Sequence, residues 1–134
     1  MEYRKFGDTY IVRMDPGEEI LPQLKVFAEQ EGVKLASVTA LGAVKDFTVG
    51  VFDTGAKVYK SNRFQGVYEI VSLVGTINTM DAAFYCHVHM CAADQQGRAV
   101  GGALSAAVIT APRAGPAALS KLQLQNWVVL HRGH

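Results

Sequence analysis

The sequence predicts an α+β fold: a large, mostly antiparallel β-sheet with one main amphipathic helix. Three observations indicate it: one stretch of helical spacing near the start, several strand-like runs after it, and a turn at residues 94–97 that joins two strands into a hairpin. The 134 residues suit one domain, and 49% hydrophobic with 19% charged residues is a globular balance rather than a disordered one. We therefore expect a single domain over residues 1–134.

The helix is predicted to follow a first strand at residues 9–14. Asp15 is placed to cap it, Pro16 to occupy its first position, and Glu18 follows the cap by three residues. Gly32 supplies the stop at the other end. Apolar residues at helical spacing form the face that we expect to be buried: Ile20, Leu24, Phe27 and Ala28.

The rest of the chain reads as strands. Gly42 interrupts the first run and is predicted to form a bulge, and residues 111–119 are predicted to be a loop. The predicted strands cover residues 35–44, 46–53, 56–64, 66–78, 83–93 and 98–111, with a closing strand within 121–131.

The strand at residues 83–93 carries the main chemical signal. Side chains alternate between the faces of a strand, and its even positions, Cys86 included, are all apolar. The odd positions bring together Tyr85, His87, His89 and Cys91 on the opposite face. Two histidines at this spacing can hold one metal ion, and a third ligand with a water would make an open site. The alternative is that they lie under a helix or at a subunit contact and only hydrogen-bond.

Further ligands are available in the sequence. Cys91 shares the histidine face, Glu69 lies on the preceding strand, and His131 and His134 stand near the chain end. Each has a simpler interpretation: a half-buried apolar thiol, a solvated carboxylate, and histidines of a frayed tail. The glycine pair at 101–102 predicts close approach of another backbone or of a ligand.

Several classes of protein receive no support. A formal net charge of +1 without a basic stripe is unlike a dedicated nucleic-acid binder, and no GxGxxG, P-loop or GxSxG motif is present. The two cysteines, Cys86 and Cys91, lie at opposite parity on one strand, which disfavours a disulfide between them. With no apolar run of the length of a signal peptide or membrane span, we expect a cytoplasmic protein.

Two neighbouring motifs carry a family resemblance. "GVYEIVSLVGTI" at 66–77, followed by "HVHMCAADQQGRAVGG" at 87–102, resembles the PPC (plants and prokaryotes conserved) domain of the stand-alone prokaryotic type. "PGEEILPQLKVFAEQEGV" and "ALGAVKDFTVGVFD" also fit, so that the resemblance covers about residues 10–110. It implies an α+β fold, a homotrimer, and histidines near a cleft between subunits, where some members bind a metal ion.

The chain departs from the family pattern in two places. Ala103 follows the glycine pair where the family commonly has a histidine, which leaves a two-histidine site to be completed by water or another subunit. The part after about residue 111 is unlike the usual family terminus. The chain also lacks the Arg-Gly-Arg hook of the plant DNA-binding members.

We therefore expect a homotrimeric binding module whose histidine cleft, formed by His87 and His89, takes a metal ion or a small ligand. Its cofactor would be a divalent metal such as zinc, or none. Tyr85, Cys91, Glu69 and the glycines at 101 and 102 are candidate lining residues. The alternatives are a metal-dependent enzyme on a small molecule, with Glu69 or Tyr85 near an activated water, and a DNA-binding protein. No membrane partner is expected.

Overall fold

A computed structural model of the chain describes residues 1–110 and 127–133. It shows the predicted α+β fold, with one helix and a large antiparallel sheet. The elements are β1 (Glu2–Phe6), β2 (Thr9–Arg13), α1 (Ile20–Glu31), β3 (Ala36–Asp53), β4 (Val58–Met80), β5 (Ala83–Ala93), β6 (Ala99–Ile109) and β7 (Trp127–Arg132).

The sheet closes partly on itself through β3. The strand order is β1-β2-β7-β3-β4-β5-β6, and every pair is antiparallel. One edge of β3 pairs with β7 along its first half and with β6 along its second half. Because β6 also pairs with β5, the strands β3 to β6 form a ring with an inner, core-filled face and an outer face.

Register shifts bend β3 between Ala40 and Gly42 and again between Val44 and Asp46. The bulge predicted at Gly42 is therefore present, but it does not divide the strand, and the two predicted runs form one long β3. The predicted runs at 56–64 and 66–78 likewise join into one β4.

The helix packs its apolar face onto the sheet. The four predicted residues, Ile20, Leu24, Phe27 and Ala28, are all buried. The Phe27 ring meets the rings of Tyr3 and Tyr10 edge-on, each at a centroid distance of 5.0 Å. Gly32 ends the helix in a left-handed conformation, with φ of 65°, and its N–H bonds the Ala28 carbonyl.

The helix begins later than the sequence predicts, at Ile20 rather than directly after Asp15. Gly17 adopts φ of 91°, and its N–H donates to the carbonyl of Ile109 on β6. The Asp15 carboxylate contacts the Met1 ammonium instead of capping a helix. Long-range contacts therefore hold residues 15–19 in a non-helical conformation, and such contacts cannot be predicted from the local capping residues.

The first and last strands of the sheet differ in part from the sequence prediction. β1 was not predicted, since "EYRKF" has no apolar alternation, and it is held by pairing with β2. The closing strand is present as β7, while residues 121–126 and the predicted loop at 111–119 lie outside the described residues. Within the described part, no helix has both the length and the hydropathy to cross a membrane.

Candidate functional site

Strand β5 has one buried face and one open face. Val88, Met90 and Ala92 are buried in the core, whereas His87 and His89 are exposed on the outer face. This is the alternation that the sequence predicts. The histidines are thus available at the surface of a single chain.

The two imidazoles face each other. The Nε2 atoms of His87 and His89 are 3.3 Å apart, and the ring centroids are 5.1 Å apart. Two nitrogens that each lie about 2.0–2.1 Å from a tetrahedral zinc ion are separated by about 3.3 Å. The same spacing accommodates a weak N–H···N hydrogen bond in the absence of an ion. The spacing of the pair therefore fits either two ligands of one ion or a hydrogen-bonded pair of imidazoles.

Tyr85 flanks the pair on one side. Its ring lies almost parallel to that of His87, with an interplanar angle of 15° and a centroid distance of 6.5 Å. Its side chain is exposed, as are the two histidines. Aromatic surface therefore borders the imidazoles along β5.

Ala103 lies beside His89 on the neighbouring strand. The two residues are cross-strand partners in the β5–β6 ladder, so their side chains leave the same face of the sheet. A histidine at 103, the residue that the family resemblance implies, would project next to His89. The departure noted in the sequence thus falls at the position where a third imidazole could reach the pair.

The glycine pair permits close contact between backbones. A Cβ on Gly101 would lie 2.8 Å from the Met90 carbonyl oxygen, and one on Gly102 would lie 2.5 Å from that of Gly50. Any larger residue would push β6 away from β5 or β3. Whether these glycines also line a ligand site stays a prediction.

Glu69 lies away from the histidines. It pairs with Ala93, four residues along β5 from His89, which is about 13 Å of strand length. It lines a separate cavity of about 620 Å³ together with Lys45 and Tyr68. The register therefore does not bring this carboxylate to the pair.

The other candidate ligands are also apart from the pair. Cys91 stands one step further along the histidine face, opposite Gly101 and Ser72. The Nδ1 atom of His131, on β7, is 3.0 Å from the Thr9 hydroxyl. His134 lies outside the described residues. Among residues 1–110 and 127–133, no three His, Cys, Asp or Glu side chains are grouped closely enough to hold a metal ion.

Large apolar side chains are exposed next to the site. Leu41, Val71 and Val74 are 60%, 56% and 56% exposed, and we call these three the outer apolar strip. They line a shallow groove of about 380 Å³, and Val74 is the direct cross-strand partner of His89. Sequence reasoning did not find the strip, because the residues come from two strands whose pairing is set by the fold.

The β5–β6 turn fixes the position of Ala103 relative to His89. The Asp94 carboxylate accepts hydrogen bonds from the N–H groups of Gln96 and Arg98, both at 2.9 Å, and from Arg98 Nε at 2.8 Å. These bonds, led by that from the Arg98 backbone, hold the pKa of Asp94 below its usual value. The predicted turn is thus a tightly bonded one.

The two thiols differ in environment. Cys86 points to the inner side and packs against the core, and burial raises the pKa of its thiol to about 11. Cys91 is half-buried on the outer face. Both are free, as their opposite parity predicts.

The chain is similar to a known family of protein domains. The model of the Plants and Prokaryotes Conserved (PCC) domain matches residues 1–115. No curated protein is similar enough to the chain to count as a match.

Solved structures share the fold over nearly the whole chain. A Bacteroides thetaiotaomicron protein, provisionally assigned to DNA binding, is 25% identical, with a TM-score of 0.85 over 98% of this chain and 82% of its own. A metal-containing protein from Archaeoglobus fulgidus is 26% identical, with a TM-score of 0.79 over the same shares. A plant- and prokaryote-conserved protein from Pyrococcus horikoshii is 25% identical, with a TM-score of 0.78 over 99% and 83%.

Proposed function

The chain belongs to the Plants and Prokaryotes Conserved domain family, and from that premise we propose that it is a homotrimeric binding module of the cytoplasm. Residues 1–134 form its one domain. Its histidine pair lies in a cleft between subunits and holds a divalent metal ion or a small ligand.

The Nε2 separation of 3.3 Å between His87 and His89 carries the proposal. It equals the distance between two nitrogen ligands of one tetrahedral zinc ion. Both rings are exposed, so an ion would not have to displace core packing. A two-histidine site leaves coordination positions for water, a ligand oxygen or a group from another subunit. The metal-containing relative from Archaeoglobus fulgidus supports the same assignment.

The outer apolar strip supports self-association. Three exposed branched side chains beside a polar pair are the arrangement expected of a contact surface rather than of bare surface. Because Val74 is the cross-strand partner of His89, a subunit seated on the strip would bring its own residues close to the imidazoles. The proposed cleft between subunits would therefore form between the outer apolar strip of one subunit and the surface of the next.

Zinc-dependent thermal stability tests the proposed site. A ligand that binds only the folded state raises the free energy of unfolding, by about 2.7 kcal/mol at a hundred times its Kd. We expect zinc to raise the Tm of the wild type and not that of His87→Ala/His89→Ala. His131→Ala is the matched control, because His131 is on β7, hydrogen-bonded to Thr9. Equal shifts in all three proteins, or none in the wild type, would remove the proposed site.

DNA binding is a second candidate, favoured by the relative from Bacteroides thetaiotaomicron. The charge of the chain gives it little physical support, since the net charge is +1 and Arg63 and Arg98 already pair with Asp46 and Asp94. Duplex DNA binding through phosphates would weaken steeply with salt. Absence of gel retardation at low salt would remove this candidate.

An enzymatic role draws less support from the geometry. The carboxylate expected to activate a water, Glu69, lies about 13 Å of strand length from His89. Tyr85 stays beside His87 as the other polar candidate.

A further inference from the structure

On the outer face, the side chains are small along a row that runs from β5 across β6 to β3, and we call Ala103 and Gly50 in this row the floor. His89 pairs with Ala103 on β6, and Ala103 pairs in turn with Gly50 on β3, so the three residues lie in one row across three strands. Cross-strand partners share a face of the sheet. Ala103 contributes one methyl group to this face and Gly50 contributes no side chain. Between the imidazole of His89 and the residue that covers Gly50, the row therefore carries no side chain larger than a methyl group.

Tyr59 stands at the other end of the row. Its ring leans over Gly50 so closely that a Cβ at position 50 would collide with the ring carbon Cζ and the hydroxyl. The side chain is 46% exposed. Its hydroxyl has no hydrogen-bond partner among residues 1–110 and 127–133. Glycine at 50 thus lets a free phenol lie across the floor from the histidines.

The row is only three strands wide. Neighbouring strands lie about 4.8 Å apart, so about 10 Å separate the backbones of β5 and β3 along the row. A carboxylate or phosphate group can accept a hydrogen bond of about 2.7–2.9 Å at each of two oxygens, so one such group can join side chains that extend over the row from its two ends. A divalent ion on the histidine pair supplies open positions for an oxygen ligand.

We propose that Tyr59 is a binding residue of the histidine site, and that its hydroxyl donates a hydrogen bond to a small oxyanion, a carboxylate or a phosphate, whose other end lies at His87 and His89. This rests on the proposed function for the site and adds the chemical class of its ligand. Ala103 leaves the space for that ligand, and Gly50 admits the Tyr59 ring beside it.

Calorimetric titration of the full chain with acetate and with inorganic phosphate, each with and without zinc, tests the proposal. At least one anion should bind the wild type, and which one does so identifies the ligand class. Tyr59→Phe keeps the ring and removes the hydroxyl, and should weaken binding by about ten-fold or more. Tyr3→Phe is the control, because the Tyr3 ring packs on Phe27, away from the site. Equal affinity of wild type and Tyr59→Phe would overturn the proposal.

A second variant fills the floor. Ala103→Leu should abolish anion binding while zinc binding by the pair persists, since neither histidine is changed. If neither anion binds the wild type, with or without zinc, the role of Tyr59 is refuted even where zinc binds normally. If zinc does not bind while an anion does so through Tyr59, the metal assignment fails and the inference stands.

Discussion

At the residue scale, position 103 decides how many imidazoles the site has. Ala103 is the β6 partner of His89, and the family resemblance implies a histidine there. A methyl group cannot coordinate a metal, so this chain presents two ring nitrogens, 3.3 Å apart. A histidine at 103 would place a third imidazole beside them. In the proposed site, alanine at 103 would leave open the position that a third imidazole would take.

Ala103→His should therefore restore a third ligand. We expect zinc binding to tighten by at least about ten-fold, the change that 1.4 kcal/mol of binding free energy gives. Competition calorimetry against a chelator measures it. Ala99→His adds the same residue four positions away on β6, opposite Ala93, and should leave the affinity unchanged. If both variants bind zinc as the wild type does, position 103 does not face the pair.

Cys86 tests the assignment of the two faces of β5. With its pKa raised to about 11 by burial, the thiol is ionised in about one molecule in a thousand at pH 8. In the Cys91→Ser variant, Cys86 is the remaining thiol, and we expect it to react slowly with a disulfide reagent until guanidinium unfolds the chain. Fast reaction in the native state would show that Cys86 is not on the core side.

At the scale of elements, the faces of β5 and the buried face of α1 could be predicted because each depends on a local periodicity of apolar residues, of two in the strand and of 3.6 in the helix. The helix start could not, since Gly17 bonds Ile109 and Asp15 contacts the Met1 ammonium, far away in sequence. The row from His89 to Tyr59 was also beyond reach, because it requires the pairing of β3 with β6. Glu69 is a similar case. Its strand was predicted, but the position of its carboxylate depends on the register between β4 and β5, which the sequence does not determine.

The β5–β6 turn is the element that keeps Ala103 opposite His89. Asp94→Ala removes three hydrogen bonds to its carboxylate and should lower the Tm by a few degrees and weaken zinc or anion binding. Because the folded pKa of Asp94 is lowered, its stabilising effect is present above the unfolded pKa and is lost as the pH falls below about 4. Thermal melts of wild type and variant should thus converge toward acid pH. A constant difference between the two at all pH values would contradict this role.

At the scale of the whole molecule, the outer apolar strip is the surface on which a trimer would depend. Leu41→Asp places a charge where a buried contact is expected, and we predict a smaller mass in solution by light scattering. Val26→Asp, on the exposed side of α1, should keep the wild-type mass. Circular dichroism verifies that both variants are folded. If Leu41→Asp keeps the mass of the wild type, the strip is not the contact surface.

Native mass spectrometry of the purified protein tests the trimer and the metal site together, because one spectrum reports the mass of the assembly and any metal retained in it. The proposed function predicts a species of three chains that carries a divalent ion, and the same three chains without the ion for His87→Ala/His89→Ala. A wild-type spectrum of single chains without metal, in a folded protein and with zinc supplied, would contradict it.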